Sequence, residues 1–203
     1  YNTLDIIVWM IENGQREEAV RAVTALARFF RVSLSSGRNI IPVRDELEHV
    51  RSYLLIQEMR YKNKFRYSID CQPEAQGLST IKLVVQPIVE NAIYHSMDFM
   101  DGDGRIDIRA EVQDGRLTIT VSDNGLGMPP QVVARLLSAE PPGDAPRRER
   151  GRKGSGIGLR NVQERIRLYF GPEYGVSIQS EPDEGTTVTL RMPAVPYGEM
   201  EDA

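Results

Sequence analysis

The chain has 203 residues, a formal net charge of −4 and one cysteine, Cys71. Its length allows one large or two small domains with a buried core. The slight negative charge gives no support for direct binding of nucleic acid or of an anionic membrane surface, and a single cysteine excludes an internal disulfide. No segment approaches the roughly 20 apolar residues that a membrane-spanning helix needs.

Apolar residues recur at helical spacing from Tyr1 to about Tyr61, which predicts three helices. Asn13-Gly14 separates the first two helices, the second ends near Gly37, and Pro42 precedes the third. The three apolar faces consist of Leu4, Ile7, Val8 and Ile11; of Val20, Val23, Leu26, Ala27, Phe30 and Leu34; and of Leu47, Val50, Leu54 and Tyr61. Such faces pack on one another, on a second subunit as a two-fold four-helix bundle, or on the following domain as a cap. His49 is predicted to lie on the solvated side of the third helix.

An amide and an imidazole share one face of a predicted helix that follows a strand-like run over 65–70. Apolar residues at Leu83, Val84, Ile88 and Ala92 give this stretch its helical spacing. Asn91 and His95 are four residues apart and project from the same face. The pair suits a hydrated metal with phosphate oxygens, because Mg²⁺ retains several waters and needs few protein ligands. The alternative is an ordinary solvated face. Pro87 is expected to kink the helix.

Asp123 follows the second strand of a predicted hairpin whose turn is Asp114-Gly115. In Asp123-Asn-Gly-Leu-Gly-Met128, the carboxylate at the strand end can accept a hydrogen bond from a purine amino group. Gly125 and Gly127 would let the backbone lie close to the purine ring. The alternative is a plain turn, since Asp-Asn-Gly is a common turn sequence.

A second glycine-rich motif, Gly154-Ser-Gly-Ile-Gly-Leu159, opens a helical stretch that extends to Phe170. The N–H groups and the positive dipole end of such a helix start can hold phosphate. The preceding segment, 139–153, is rich in Pro, Gly and charge and is predicted to be mobile without ligand. A final hairpin offers the Thr187 hydroxyl, although most threonines simply favour strands. Residues from Ala194 onward are predicted to form a frayed acidic tail.

In this order and spacing, the four motifs resemble the N box, the two glycine boxes and the closing Gly-Thr strand of the ATP-binding domain of sensor histidine kinases. That domain belongs to a superfamily shared with gyrase, a large heat-shock chaperone and mismatch-repair ATPases. The resemblance implies an α+β fold. A helical dimerisation segment would occupy residues 1–62, an α/β sandwich with one mixed sheet and helices on a single face would occupy 63–197, and a tail would occupy 198–203.

The helical segment resembles the same proteins. Tyr1-Asn-Thr-Leu4 is similar to the end of the acceptor motif of LytS/YesM-type kinases, and the stretch from Glu46 to Tyr61 is similar to their second dimerisation helix. The acceptor histidine would fall about three residues before Tyr1, and neither His49 nor His95 is a convincing replacement. The chain as given is therefore expected to bind ATP without phosphorylating itself.

The resemblance also implies partners. The expected ones are a second copy, bound through residues 1–62, and a response-regulator receiver domain that accepts the phosphoryl group. No direct contact with nucleic acid is expected, since the regulator is the DNA-binding partner. Tyr1 is not a natural initiator and no signal sequence is evident. We therefore expect a cytoplasmic fragment of a sensor whose membrane part lies N-terminal to it.

The cofactors implied by the resemblance are ATP and Mg²⁺. Asn91 would coordinate Mg²⁺, and His95 would lie near the phosphates. Asp123 would hold the adenine amino group, beside Gly125 and Gly127 and with support from Thr187 through water. The residues expected at the phosphates are Gly154, Ser155, Gly156, Ile157, Gly158 and Leu159.

Glu90 is a third candidate catalytic residue, beside Asn91 and His95. Hydrolytic relatives of this domain have a glutamate four residues before the asparagine, as general base for water, and this chain has Pro87 there. Glu90 points about 100° away from Asn91 around the helix, so it cannot simply take over that role.

Two other functions remain open from the sequence. One is a serine kinase of the anti-sigma type, which shares the nucleotide fold but lacks a helical dimerisation segment of this length. The other is a non-catalytic ATP-sensing interaction module, since intact motifs do not by themselves demonstrate turnover.

Overall fold

The computed structural model describes residues 2–34, 39–61, 64–96, 102–137 and 155–200. The predicted mobile segment 139–153 and Gly154 lie outside the described residues. In chain order the elements are α1 (Asn2–Glu12), α2 (Arg16–Ser33), β1 (Ile40–Pro42), α3 (Val43–Tyr61), β2 (Phe65–Cys71), β3 (Ser79–Ile81), α4 (Gln86–Ser96), β4 (Gly104–Gln113), β5 (Arg116–Asp123), α5 (Pro130–Leu137), α6 (Ser155–Phe170), β6 (Gly175–Glu181) and β7 (Gly185–Pro193). Every described helix is too short or too polar to span a lipid bilayer.

Five strands form one mixed sheet in the order β2-β4-β5-β7-β6. β2 and β4 are parallel, and the other neighbours are antiparallel. The β4–β5 hairpin closes at Asp114 and Gly115, both with positive φ, as the predicted two-residue turn requires. A second sheet pairs β1 with β3. The sequence analysis missed this pair, because strands of three residues carry no periodic pattern.

Helices cover one face of the large sheet. Alternate side chains of its two central strands are buried, namely Ile106, Ile108 and Ala110 of β4 and Leu117, Ile119 and Val121 of β5. α4 and α6 pack on this face, and α3 packs on β2. The intervening positions carry polar side chains, such as Arg109 and Thr120. The predicted α/β sandwich with a mixed sheet and helices on a single face is confirmed.

α3 belongs to the core of the sheet domain. Its Val43, Leu47, Val50 and Leu54 side chains are buried in the same cluster as the inward residues of β4 and β5. The sequence left open whether the helices pack on one another, on a second subunit or on the following domain. α3 packs on the following domain as a cap.

α1 and α2 form a hairpin with a small cluster of their own, made of Ile7, Met10, Ala19 and Ala22. Much of the predicted apolar face of α2 is exposed, with exposed fractions of 59% for Val20, 51% for Val23 and 74% for Leu34. The side chains of α2 that face the rest of the chain are its buried alanines together with Leu26 and Phe29, and not the larger residues just named. The larger apolar residues of this hairpin thus form an outer surface.

Three local predictions are wrong. His49 is fully buried, because α3 is covered on that side by Phe29 of α2 and by Gln86 at the start of α4. Pro87 lies in the first turn of α4, where a missing N–H removes no helical hydrogen bond, so a mid-helix kink is not required. The described residues after β7 are paired and not frayed at 194–197, since the Ser79 N–H donates to the Val195 carbonyl at 2.7 Å and the Tyr197 N–H donates to the Gly77 carbonyl.

Candidate nucleotide-binding site

A cavity of about 50 Å³ opens between α4, the end of β5, β7 and the loop that follows β5. Two of the predicted polar site residues line it, Asn91 from α4 and Asp123 from the end of β5. The other lining residues are Ile88, Ala92, Val121, Leu126, Gly127, Met128, Leu136, Leu159, Thr186 and Val188. A mostly apolar lining with a few polar groups has the composition of a small-molecule site, while the cavity volume is below the roughly 300–1,000 Å³ of such sites.

Asp123 lines this cavity from the end of β5. Its Oδ1 accepts the N–H of Gly125 at 2.9 Å, which fixes the carboxylate where the chain turns. Gly127 has a φ of +61°, and a Cβ there would collide with the Glu181 carbonyl oxygen. A Cβ at Gly185 would likewise collide with the backbone of Asp123. The packing of β6 and β7 therefore requires glycine at these two positions, and the predicted approach of Gly125 and Gly127 to a purine ring stays a prediction.

Asn91 has an unsatisfied hydrogen-bonding group that a ligand could pair with. Its side chain lines the cavity from α4, and its Nδ2 is buried with no hydrogen-bond partner among the residues that the structure describes. An unpaired buried amide costs about 1–3 kcal/mol, so such groups are rare without a functional reason. A bound phosphate or ordered water would satisfy it.

Glu90 points toward α3 and away from the cavity. Its Oε1 accepts the Gln86 Nε2–H at 2.6 Å, one helical turn back. Burial raises the pKa of Tyr53 on α3 well above the usual range for a phenol, and the nearby Glu90 carboxylate raises it further. The structure thus brings Asn91 and Asp123 together but does not bring Glu90 to them.

The start of α6 provides a second polar border. α6 begins at Ser155, so Gly156 and Gly158 lie in its first turn, where N–H groups have no helical acceptor. Leu159 is buried and lines the cavity, which places this helix start beside it. The side chains of Ser155 and Ile157 lie outside the described part of the chain.

His95 lies in the last turn of α4, four residues after Asn91. Its side chain lies outside what the structure describes, so its predicted position near the phosphates stays a prediction. The backbone alone places it on the same helical face as Asn91.

Thr187 does not line the cavity. Its hydroxyl lies 3.0 Å from that of Ser122, and the next residue back, Thr186, faces the cavity instead. Successive strand residues point to opposite faces, so an error of one position in a Thr-Thr pair moves the predicted hydroxyl across the sheet. The Thr186 hydroxyl lies 2.8 Å from Ser180 Oγ on β6, which holds it in place.

Mg²⁺ fits the residues present only as a largely hydrated ion. Within the described ranges there is no group of three or more His, Cys, Asp or Glu side chains that would enclose a metal. Asn91 would supply one side-chain oxygen, and Mg²⁺ commonly takes one or two protein ligands plus waters and substrate phosphates. The unpartnered atom of Asn91 is its Nδ2, a donor that suits a phosphate oxygen or a water, whereas Mg²⁺ would bind its Oδ1.

The sequence analysis missed several lining residues, chiefly Thr186 and the apolar side chains of Leu126, Met128 and Leu136. Thr186 is identified only once the β5–β7 register is known, because that register pairs it directly with Asp123. The apolar residues gave no signal, since a leucine or methionine beside a glycine loop has the same pattern in a core.

A profile of the histidine kinase-, DNA gyrase B- and HSP90-like ATPases matches residues 78–196, which is more than half of the chain and includes every cavity-lining residue. The chain belongs to this ATPase family. A second profile, of histidine kinases, matches residues 1–65 of this family member. The two matches together confirm the resemblance stated from the motifs.

Two curated relatives match nearly the whole chain of this ATPase family member. The sensor histidine kinase YesM of Bacillus subtilis is 33% identical over 193 residues, covering 95% of this chain and 31% of its own length. The sensor histidine kinase BtsS of Escherichia coli K12 is 32% identical, with the same coverage of both chains. The chain therefore spans about a third of the length of these relatives.

Solved histidine kinases share the fold of this family member. The catalytic domain of the histidine kinase ThkA superposes with a TM-score of 0.57 at 18% identity, covering 79% of this chain and 97% of that domain. The histidine kinase domain of the blue-light-activated kinase EL346 from Erythrobacter litoralis gives 0.53 at 16% identity, covering 87% and 75%. At these identities the match establishes the fold alone.

Proposed function

We propose that this chain is the kinase core of a two-component sensor histidine kinase, which binds Mg-ATP and directs its γ-phosphoryl group to a histidine. The observation that carries the proposal is that one cavity is lined both by Asn91, whose buried Nδ2 has no described partner, and by the Asp123 carboxylate. The two residues come from different elements and lie more than 30 positions apart in the chain.

In the proposed site, each element has a separate task. Asp123 accepts a hydrogen bond from the adenine amino group, with the Thr186 hydroxyl at its side. The apolar side chains around them exclude water from the ring. The first-turn N–H groups of Ser155, Gly156 and Gly158 bind phosphate oxygens, together with Gly154 before them. Asn91 contributes the protein ligand of Mg²⁺, which would neutralise phosphate charge as the phosphoryl group is transferred.

The receiving groups lie on other molecules or other parts of the parent protein. We propose that a histidine takes the phosphoryl group and that a response-regulator aspartate receives it next. The names of YesM and BtsS as sensor histidine kinases support this assignment. The chain matches about a third of each, which supports a module within a longer sensor. We propose that this module is cytoplasmic and that the sensor is membrane-anchored.

We further propose a homodimer through the helical segment, residues 1–62. The outer surface of the α1–α2 hairpin includes a groove of about 640 Å³ lined by Ile11, Gly14, Arg16, Ala19, Val20, Val23 and Thr24. Exposed apolar surface of this extent on two neighbouring helices is typical of a protein–protein contact. The matching face on a second copy would cover it and complete a four-helix bundle.

The test is calorimetry of a non-hydrolysable ATP analogue with and without Mg²⁺, on the wild-type chain and on Asn91→Ala. We expect Mg²⁺ to strengthen binding to the wild-type chain, and we expect the variant to lose that gain, about tenfold or more, because its only protein ligand is absent. Arg109→Ala, on the polar face of the sheet, is the matched control. Unchanged Mg²⁺ dependence in Asn91→Ala would refute the assignment, and absence of any binding at millimolar ligand would contradict both the kinase and the ATP-sensing function and favour a scaffold function.

A further inference from the structure

The segment from Lys82 to Gln86, which we call the α4 entry segment, is held by side chains of α3 and α6 and by a backbone carbonyl of α2. The Glu46 carboxylate on α3 accepts two of its backbone N–H groups, those of Leu83 and Val85, each at 2.8 Å. Leu83 has a φ of +58°, a left-handed conformation that is unfavourable for a leucine. Glu46 is fully buried, so the two hydrogen bonds fix the segment firmly.

His49 lies one turn after Glu46 on α3 and contacts the same segment. Its Nε2 is 2.6 Å from Gln86 Oε1, and the Gln86 amide nitrogen donates in turn to Glu90 Oε1 at 2.6 Å. Because the Gln86 oxygen can only accept, His49 must be the donor at Nε2. The chain of hydrogen bonds therefore runs from His49 through Gln86 to Glu90.

The entry segment is also held from other sides. Arg165 on α6 donates to the carbonyls of Lys82, at 2.6 Å, and Leu83. Lys82 Nζ donates to the Ser33 carbonyl at the end of α2. The His49 ring stacks on Phe29 of α2 with centroids 4.4 Å apart. Polar contacts from α2, α3 and α6 thus converge where α4 begins.

The rotation of α4 decides where Asn91 points. Gln86 and Glu90 are one turn apart and share a helical face, and Asn91 follows Glu90 at about 100° around the axis. Gln86 is bonded to His49 on α3, and Glu90 is bonded to Gln86 within α4. The hydrogen bond from His49 therefore fixes the face of α4 that carries Gln86 and thereby directs Asn91 toward the cavity. Apolar contacts alone would allow more than one rotation, whereas a hydrogen bond of defined geometry from a buried side chain favours one. The other ring nitrogen of His49, Nδ1, is buried and has no hydrogen-bond partner among the described residues.

We propose that Glu46 and His49 are positioning residues of the nucleotide site, which set the start and rotation of α4 and so direct Asn91 at the bound metal and phosphates. The inference rests on the proposed Mg-ATP site. It adds that the affinity gained from Mg²⁺ depends on hydrogen bonds made by α3, a helix that does not touch the nucleotide cavity.

The test compares His49→Phe with His49→Gln. Phenylalanine keeps a ring on Phe29 but removes the donor, whereas glutamine keeps a donor near the position of Nε2 and removes the ring. For each folded variant, calorimetry gives the affinity for a non-hydrolysable ATP analogue with Mg²⁺ and with chelator. We expect His49→Phe to lose about threefold to tenfold of the Mg²⁺-dependent gain, the range of one net hydrogen bond, with its Mg²⁺-free affinity unchanged. His49→Gln should keep most of the gain.

A purely structural role for His49 predicts the reverse order, because the loss of ring stacking would then be the damaging change. That result, or equal gains in both variants, would overturn the proposal. If His49→Phe does not fold, Gln86→Met removes the middle of the hydrogen-bond chain at a half-buried position and is measured in the same way.

Two more variants complete the test. Glu46→Gln leaves one of the two backbone N–H groups without an acceptor and should lower the Mg²⁺-dependent gain as His49→Phe does. Ser52→Ala is the matched control, because Ser52 is buried on α3 but its hydroxyl bonds only the Glu48 carbonyl of its own helix. If Mg²⁺ does not raise the nucleotide affinity of the wild-type chain, the proposed function itself is contradicted. This result differs from a failure of the positioning role alone, in which the wild-type chain responds to Mg²⁺ and the variants respond equally.

Discussion

The sheet domain and the α1–α2 hairpin stabilise themselves in different ways. The sheet domain, with α3 as its cap, buries one continuous cluster that extends from Ile40 to Met192. The cluster of the hairpin has four buried residues, and the exposed apolar residues Ile11, Val20 and Val23 lie beside it in the sequence. Both regions have clear amphipathic patterns in the sequence. The spacing of apolar residues therefore does not distinguish a helix face that its own chain covers from a helix face that stays exposed on the single chain.

The nucleotide cavity lies entirely within the sheet domain. Its lining residues come from α4, β5, α5, α6, β7 and the loop after β5, and α1 and α2 contribute none. Substitutions in the sheet domain should therefore alter stability and nucleotide binding, while those on the hairpin surface should alter association.

The largest effect is expected in the central strand of the sheet. Ile119→Ala removes a fully buried side chain and should lower the free energy of unfolding by about 3 kcal/mol, through lost burial and the cavity left behind. Urea denaturation followed by circular dichroism measures it. The control Val23→Ala, half-exposed on α2, should change stability by less than about 0.5 kcal/mol. Similar losses for both would contradict the distinction between the regions.

Gly127→Ala is expected to have the second-largest effect on stability, and it should also weaken nucleotide binding. A left-handed φ costs an alanine about 1–2 kcal/mol, and the new Cβ would also collide with the Glu181 carbonyl. Gly115→Ala is the matched control, since Gly115 has a φ of +71° and open space around it. Thermal melts and nucleotide calorimetry should show lost binding in the first variant only. Retained ATP affinity in Gly127→Ala would mean that the loop does not border the bound nucleotide.

Asp123→Asn should have a smaller effect, confined to base selection. The carboxylate can only accept from the adenine amino group, whereas an amide can either donate or accept. We expect the preference for ATP over GTP to fall by about threefold to tenfold while the thermal midpoint stays nearly constant. Competition binding of the two nucleotides measures it. An undiminished preference would remove Asp123 from adenine recognition.

The smallest effect on the single chain is expected for Val23→Glu on the hairpin surface. The site is half-exposed, so stability should change by less than about 0.5 kcal/mol, but a buried charge at a two-fold contact would oppose dimerisation. Analytical ultracentrifugation of wild type and variant tests this, with Glu12→Gln as a surface control. If the variant dimerises like the wild type, the second copy binds elsewhere.

The sequence predicted those parts of the fold in which local pattern and burial agree. The β4–β5 hairpin followed from alternation around Asp114-Gly115, and the helix carrying Asn91 followed from its apolar spacing. His49 was misplaced because a polar residue on a helix is usually solvated, and its burial depends on Phe29 and Gln86, which are distant in the sequence. Thr186 was missed because two adjacent threonines are indistinguishable until the register with β5 is known.

The small β1–β3 sheet has a consequence for the recombination of modules. β1 precedes residue 62 and β3 follows it, yet Ile41 pairs with Thr80, and Leu78 on the other side bridges to Pro196 near the end of the described chain. A chimaera of two such proteins joined at residue 62 would take β1 from one parent protein and β3 from the other, so the two-stranded sheet would pair strands of different origin. Exchange before Ile40 would instead transfer the α1–α2 hairpin as a unit and keep the two-stranded sheet, α3 and the entry to α4 from a single parent.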